Sequence, residues 1–147
     1  MQTTDYQQLV EAIGDAVVVC DAAGAIVVWN DAATRIFGFT REDALGKSLD
    51  LIVPERQRQR HWDGYNKSMS TGETRYGNEL LRVPALHKEG KPLSIAFTVA
   101  MLHGADGKVS AIVAVIRDET ARWAEERQLR ARVAQLEAAA APASTLT

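Results

Sequence analysis

His61, Tyr65 and Met69 recur at i, i+4 and i+8 in a stretch that begins Val53-Pro54-Glu55-Arg56-Gln57-Arg58-Gln59-Arg60-His61. On a helix the three share one face, while Arg56, Lys67 and the glutamines lie mostly on others. Pro54 suits a first helical turn, where a missing N–H costs nothing. An imidazole on an otherwise apolar stripe has two uses: a core histidine with its polar atoms satisfied, or a metal ligand. Spacing alone leaves both open. The other chemistry-bearing residues offer less. Cys20 is the single cysteine and sits in the run Val17-Val18-Val19-Cys20, where a buried, inert thiol is expected. It excludes an internal disulfide and fits a reducing cytoplasm. His87 and His103 lie beside turns. No Gly-rich phosphate loop, Ser/His/Asp or Cys/His set, or spaced metal-ligand cluster is present, so no enzyme activity is expected.

The elements that must position His61 follow from composition and pattern. With 147 residues, 46% of them hydrophobic, the chain has enough apolar material for one core and a short extension. A formal net charge of −2 gives no global basic field for nucleic acid, and the arginines at 56–60 read as a solvated helix face. No run of about 18 apolar residues spans a membrane. The first residues, Met1 to Tyr6, lack the regions of a signal peptide.

Tyr6, Leu9, Val10 and Ile13 have helical spacing, closed by Gly14. Ala16–Asp21 and Ile26–Asn30 read as two strands of a hairpin around Gly24. Ala32–Phe37 is helical, and Thr40 with Asp43 forms a capping-box pattern before a short helix. Ser48–Ile52 is a turn of helix or a loop. The His61 helix runs to about Ser70. A long strand is expected over Thr74–Ala85, with Leu80, Leu81 and Val83 as its core and Pro84 marking an edge or bulge. Leu93–Leu102 alternates, with Leu93, Ile95, Phe97, Val99 and Met101 on one face. Val109–Ile116 is the last strand. The expected fold class is α+β: a five-stranded antiparallel sheet with helices on one face, an N-terminal helix over 1–13 and a C-terminal helix over 119–141. Leu129, Val133, Leu136 and Ala140 form a coiled-coil seam too short to hold a dimer alone, and residues 142–147 read as a frayed tail.

This order of elements resembles the PAS sensor domain, over about residues 10–120. Asp15-Ala16, Asp21-Ala22-Ala23-Gly24, Trp29-Asn30, the run from Phe37 to Lys47, Lys88-Glu89-Gly90 and Asp118-Glu119-Thr120 carry the resemblance. It places the PAS domain at 14–118 and makes 119–141 a signalling helix. The stretch Ser48–Ile52 has no cysteine for a flavin adduct, which removes the blue-light branch. Pro54, Arg58 and His61 match the Pro-x-x-x-Arg-x-x-His run of FixL-type haem domains. That resemblance implies haem b held by His61 beside Tyr65, with Lys67 and Arg75 near the propionates and Tyr76, Phe97 and Val99 over the open face of the iron. Leu81 falls where the FixL type has a distal arginine, and the adjacent Arg82 points to the other face of its strand. Met101 is either a sixth ligand or packing. The implied function is sensing of a diatomic gas or redox state in a bacterial cytoplasm, in the manner of two-component signalling. The signal would pass through the C-terminal helix, in a homodimer formed by the terminal helices, to a partner or fused output domain. No kinase, cyclase or DNA-binding segment follows residue 141, so a sensor input is expected, stand-alone or cut from a longer protein. Nucleic-acid and membrane partners are not expected. The alternative is a haem-free interaction module, or a sensor of a small apolar or metabolite ligand.

Overall fold

In the computed structural model, which describes residues 3–73 and 79–142, the β-branched run Ala16–Asp21 forms β1 near the middle of a sheet. It pairs with β2 (Ile26–Trp29) on one side and β5 (Val109–Asp118) on the other. β4 (Pro92–His103) pairs with β5, and β3 (Leu81–Leu86) forms the far edge. The order is β2-β1-β5-β4-β3, and the five strands are antiparallel throughout, the latter as expected. Around it lie α1 (Tyr6–Ala12), α2 (Asp31–Phe37), α3 (Arg41–Ala44), a 3₁₀ turn (Leu49–Leu51), α4 (Glu55–Thr71) and α5 (Thr120–Ala140).

Strand alternation sorts the apolar residues onto two faces. Val18, Cys20, Ile95 and Ile116 pack with Trp29, Phe37, Ile52 and Tyr65 in the main core. Val17 and Val19 point the other way and are covered by Val10 and Ile13, from α1 and its C-terminal cap. The middle helices therefore cover one face and α1 part of the other.

Fully buried Asn30 explains how these layers are joined. Its Oδ1 accepts from the N–H groups of Val17 and Ala33, at 2.9 and 3.1 Å. Its Nδ2 donates to the carbonyls of Val10 and Asp15, at 2.8 and 3.1 Å. One amide thus caps α2 and ties α1 to the start of β1. The capping box of Thr40 and Asp43 forms at the start of α3.

Two sequence expectations change. The strand expected from Thr74 starts at Leu81, and residues 74–78 lie outside the described residues. Leu80 is outside the ladder and 55% exposed, so it is not core. Val83 is 36% exposed although it shares a face with buried Ala85, because β3 is the edge strand. Pro84 suits that edge, where no outer neighbour needs its missing N–H. Pro54 takes the N-cap position immediately before α4, one step earlier than a first-turn proline.

At the far end, β5 passes into α5 through a polar knot. The Glu119 N–H donates to the Ser94 carbonyl at 2.8 Å, and the Ser94 N–H to Thr120 Oγ1 at 3.0 Å. Asp118 Oδ1 accepts from both the N–H and the hydroxyl of Thr120. The start of α5 is thereby fixed to β4. Beyond it, Leu129, Val133 and Leu136 are all exposed.

Candidate functional site

α4 presents one face to the sheet. Tyr65 is buried, and Trp62 and Met69 pack against the main core. His61 lies on the shoulder of this face. Its Nδ1 is enclosed and has no hydrogen-bond partner, an arrangement native interiors rarely tolerate without a use. Burial pulls the His61 pKa below its ordinary 6.5, and the negative charge of Asp50 acts in the opposite direction. At neutral pH the ring is uncharged and keeps a lone pair available to a metal or a hydrogen-bond donor.

The neighbours are aromatic and acidic. The Trp62 indole N–H donates to Asp50 Oδ1 at 2.7 Å. The Trp62 ring centroid lies 4.6 Å from His61 and 5.1 Å from Tyr65, both edge-on. The Tyr65 hydroxyl donates to the backbone carbonyl of Asp21, and burial raises its pKa well above the phenol range. Cys20, on the inner face of β1, has its thiol pushed up to about 12, mainly by burial. It is an inert core thiol, as expected.

Across from α4, Leu81, Phe97, Val99 and Met101 occupy one sheet face. Phe97 stands opposite both Leu81 and Ile116, Val99 opposite Ala114, and Met101 opposite Ile112. Coverage of this face is uneven. Val18 and Cys20 on β1 are almost fully buried, whereas Leu81, Phe97, Val99 and Met101 are only half-buried. The inner face is therefore sealed near β1 and at Ala85, Leu93 and Ile95, and less covered at Leu81 and along β4 from Phe97 to Met101, where an apolar guest would bury surface still in contact with water.

The structure brings His61 and Tyr65 together on α4, and Leu81, Phe97, Val99 and Met101 together on the sheet. It does not bring Lys67 to them: Lys67 is exposed and, two residues past Tyr65, lies about 200° around the helix. Arg75 and Tyr76 lie outside the described residues. Sequence reasoning missed Trp62 and Asp50. Trp62, Tyr65 and Met69 fall at i, i+3 and i+7, so the apolar stripe was visible, but its hydrogen bond to Asp50 was not. Trp62 also lines an open surface concavity of about 400 Å³, with Gly24, Gly46, Ser48 and Asn66. Among the described residues no three or more His, Cys, Asp or Glu side chains form a metal cluster. A haem would need a different donor set, one axial nitrogen beside an apolar, half-covered wall. His61 would supply the nitrogen and the half-buried residues of β3 and β4 an apolar wall, each on its own element. No described helix is long and apolar enough to cross a membrane.

Comparison with known proteins places this geometry. An uncharacterized protein of Azorhizobium caulinodans is 41% identical over 117 residues, covering 77% of this chain. The sensor protein FixL of Bradyrhizobium diazoefficiens is 36% identical over 62 residues, 42% of the chain. The oxygen sensor protein DosP of Escherichia coli is 23% identical over 138 residues, 88% of the chain. The matched regions span 16%, 12% and 17% of those relatives. Among solved structures, the PAS domain of a Colwellia psychrerythraea protein superposes with a TM-score of 0.68 at 20% identity, covering 78% of this chain and 94% of that one. A sensory box histidine kinase/response regulator from Burkholderia thailandensis gives 0.63 at 16%, covering 90% and 97%. The sequence pattern of the PAS fold matches residues 4–118, and the chain belongs to the PAS family.

Proposed function

We propose that this chain is a non-catalytic PAS sensory module that holds haem b through His61 and responds to a diatomic gas or a redox change. The single observation that carries this is the enclosed Nδ1 of His61, which has no hydrogen-bond partner among the described residues. Likeness to parts of a FixL sensor and of an oxygen sensor supports it. When bound, the haem would supply an iron centre able to take a gas or change oxidation state. The chain's own residues do the rest. His61 would supply the nitrogen that holds the group, and Tyr65, bonded to the Asp21 carbonyl, braces the helix that carries it. Phe97 and Val99 would shield the bound group from water, with Met101 on the same strand face. Arg75 is the candidate cation for the carboxylates, and Tyr76 the candidate hydroxyl donor. Leu81 brings no donor, so oxygen gains no guanidinium contact there.

Displacement on the inner face reaches the exit through β4, because Ser94 is bonded to both Glu119 and Thr120. We place the output in a homodimer built from the terminal helices, whose Tyr6, Leu9, Leu129, Val133 and Leu136 are exposed. It acts in the cytoplasm on a signalling partner or fused output domain, with no nucleic acid and no membrane involved. A ligand can drive this only through its difference in affinity for two states.

The test is to purify the protein from haem-supplied cells and record its visible spectrum. A Soret band that disappears in His61→Ala is expected; a colourless wild type would overturn the haem assignment. A haem-free module with a small ligand is the second reading. It is favoured by Trp62, whose indole packs edge-on against both His61 and Tyr65.

A further inference from the structure

We infer that Trp62 is a positioning residue for His61, seated on Gly24 and latched by Asp50, so that the His61 lone pair is held inward on Nδ1. This deepens, and rests on, the assignment of His61 as the ligand-holding group.

Trp62 follows His61 directly, so any roll of α4 carries both. A Cβ added to Gly24 would lie 2.8 and 2.9 Å from Trp62 Cζ3 and Cη2, so the edge of the indole rests on the glycine itself. The φ of +87° at Gly24 selects glycine independently. The other edge of the indole is fixed by its N–H bond to Asp50 Oδ1. The turn carrying Asp50 is in turn bound to α4: Arg58 donates through Nε to the Val53 carbonyl at 3.0 Å and through Nη2 to the Asp50 carbonyl at 3.4 Å.

One helical turn further on, the Tyr65 hydroxyl bonds to the Asp21 carbonyl, at the opposite end of the same β1–β2 turn. The Asp21 carboxylate stiffens that turn by accepting from the N–H groups of Ala23 and Ala25. α4 is therefore pinned to one hairpin turn at two aromatic points and cannot roll. His61, on the shoulder between pin and sheet, inherits its direction from them.

Two consequences follow for the imidazole. An enclosed N–H without a partner is rarer and more costly than an enclosed acceptor without one, so the proton sits on Nε2 and Nδ1 keeps the lone pair. In addition, the indole N–H occupies Asp50 Oδ1. Without it, the Asp50 carboxylate would be a free acceptor on the turn that holds the Trp62–His61 pair.

The test uses the haem-free full chain with ¹⁵N-labelled histidine, at a pH where imidazole is neutral, with His61 assigned by loss of its signals in His61→Gln. Wild type should show one tautomer, unprotonated at Nδ1. Trp62→Phe keeps a ring on Gly24 but removes the N–H, and should change the tautomer ratio about five-fold, the equivalent of one net hydrogen bond. Gly24→Ala displaces the indole and should do the same. If Gly24→Ala does not fold, Trp62→Phe, which removes atoms and adds none, decides alone. An unchanged ratio in folded Trp62→Phe overturns the inference. Hemin added to the same samples separates the two levels. A tautomer response without hemin uptake keeps Trp62 as the positioning residue and removes the haem. Hemin uptake through His61 without a tautomer response does the reverse.

Discussion

At the scale of single residues, the chemistry concentrates in one neutral imidazole. Its folded pKa is below the unfolded value, so between the two the unfolded chain binds more protons. Stability should therefore fall as pH drops through 6.5 toward the folded value. Melting curves between about pH 7.5 and about pH 5 should show the loss, and His61→Gln should flatten it; an unchanged slope would remove His61 as the cause. Cys20 gives a cleaner contrast. With its thiol pushed up to about 12 by burial, it should resist alkylation at neutral pH until the protein unfolds. Mass spectrometry of native and denatured samples checks this, and fast labelling of the native protein would contradict it. Both residues were legible in the sequence, one from helical spacing and the other from its β-branched run. The unpaired Nδ1 was not, because whether a polar atom finds a partner depends on groups distant in sequence.

At the scale of elements, the fold depends on Asn30 more than its position suggests. Asn30→Ala would leave the N–H groups of Val17 and Ala33 and the carbonyls of Val10 and Asp15 without their partner. At about 1–3 kcal/mol for each buried group left unsatisfied, denaturant unfolding should show a loss of about 3 kcal/mol or more. A loss under about 1 kcal/mol would mean that water replaces the amide. Alternation and capping signals announced β1, β2, β4, β5 and α3 because those elements obey local rules. The pattern overextended β3, since Leu80 and Val83 look like core residues but lie at a sheet edge where helices do not reach. It also picked His61, Tyr65 and Met69 as the stripe of α4, whereas Trp62 packs against the core with Tyr65 and Met69 and His61 sits beside them.

At the scale of the whole molecule, the proposed signal route runs from the inner face to α5 through the bonds of Ser94 to Glu119 and Thr120. Thr120→Val keeps the shape of the side chain but removes the hydroxyl that joins Ser94 to Asp118. Amide exchange at the start of α5 should accelerate about five-fold, with the core unchanged; equal exchange would show that the knot does not anchor the helix. The seam of Leu129, Val133 and Leu136 predicts that Leu129→Arg weakens self-association, measured by sedimentation. A monomeric wild type would contradict the dimer. The proposed ligand event at His61 is tested most directly by hemin titration of the haem-free protein. One equivalent should develop a Soret band and quench tryptophan fluorescence in wild type, and neither change should occur in His61→Ala. Equal responses from the two proteins, or none from wild type, would contradict it.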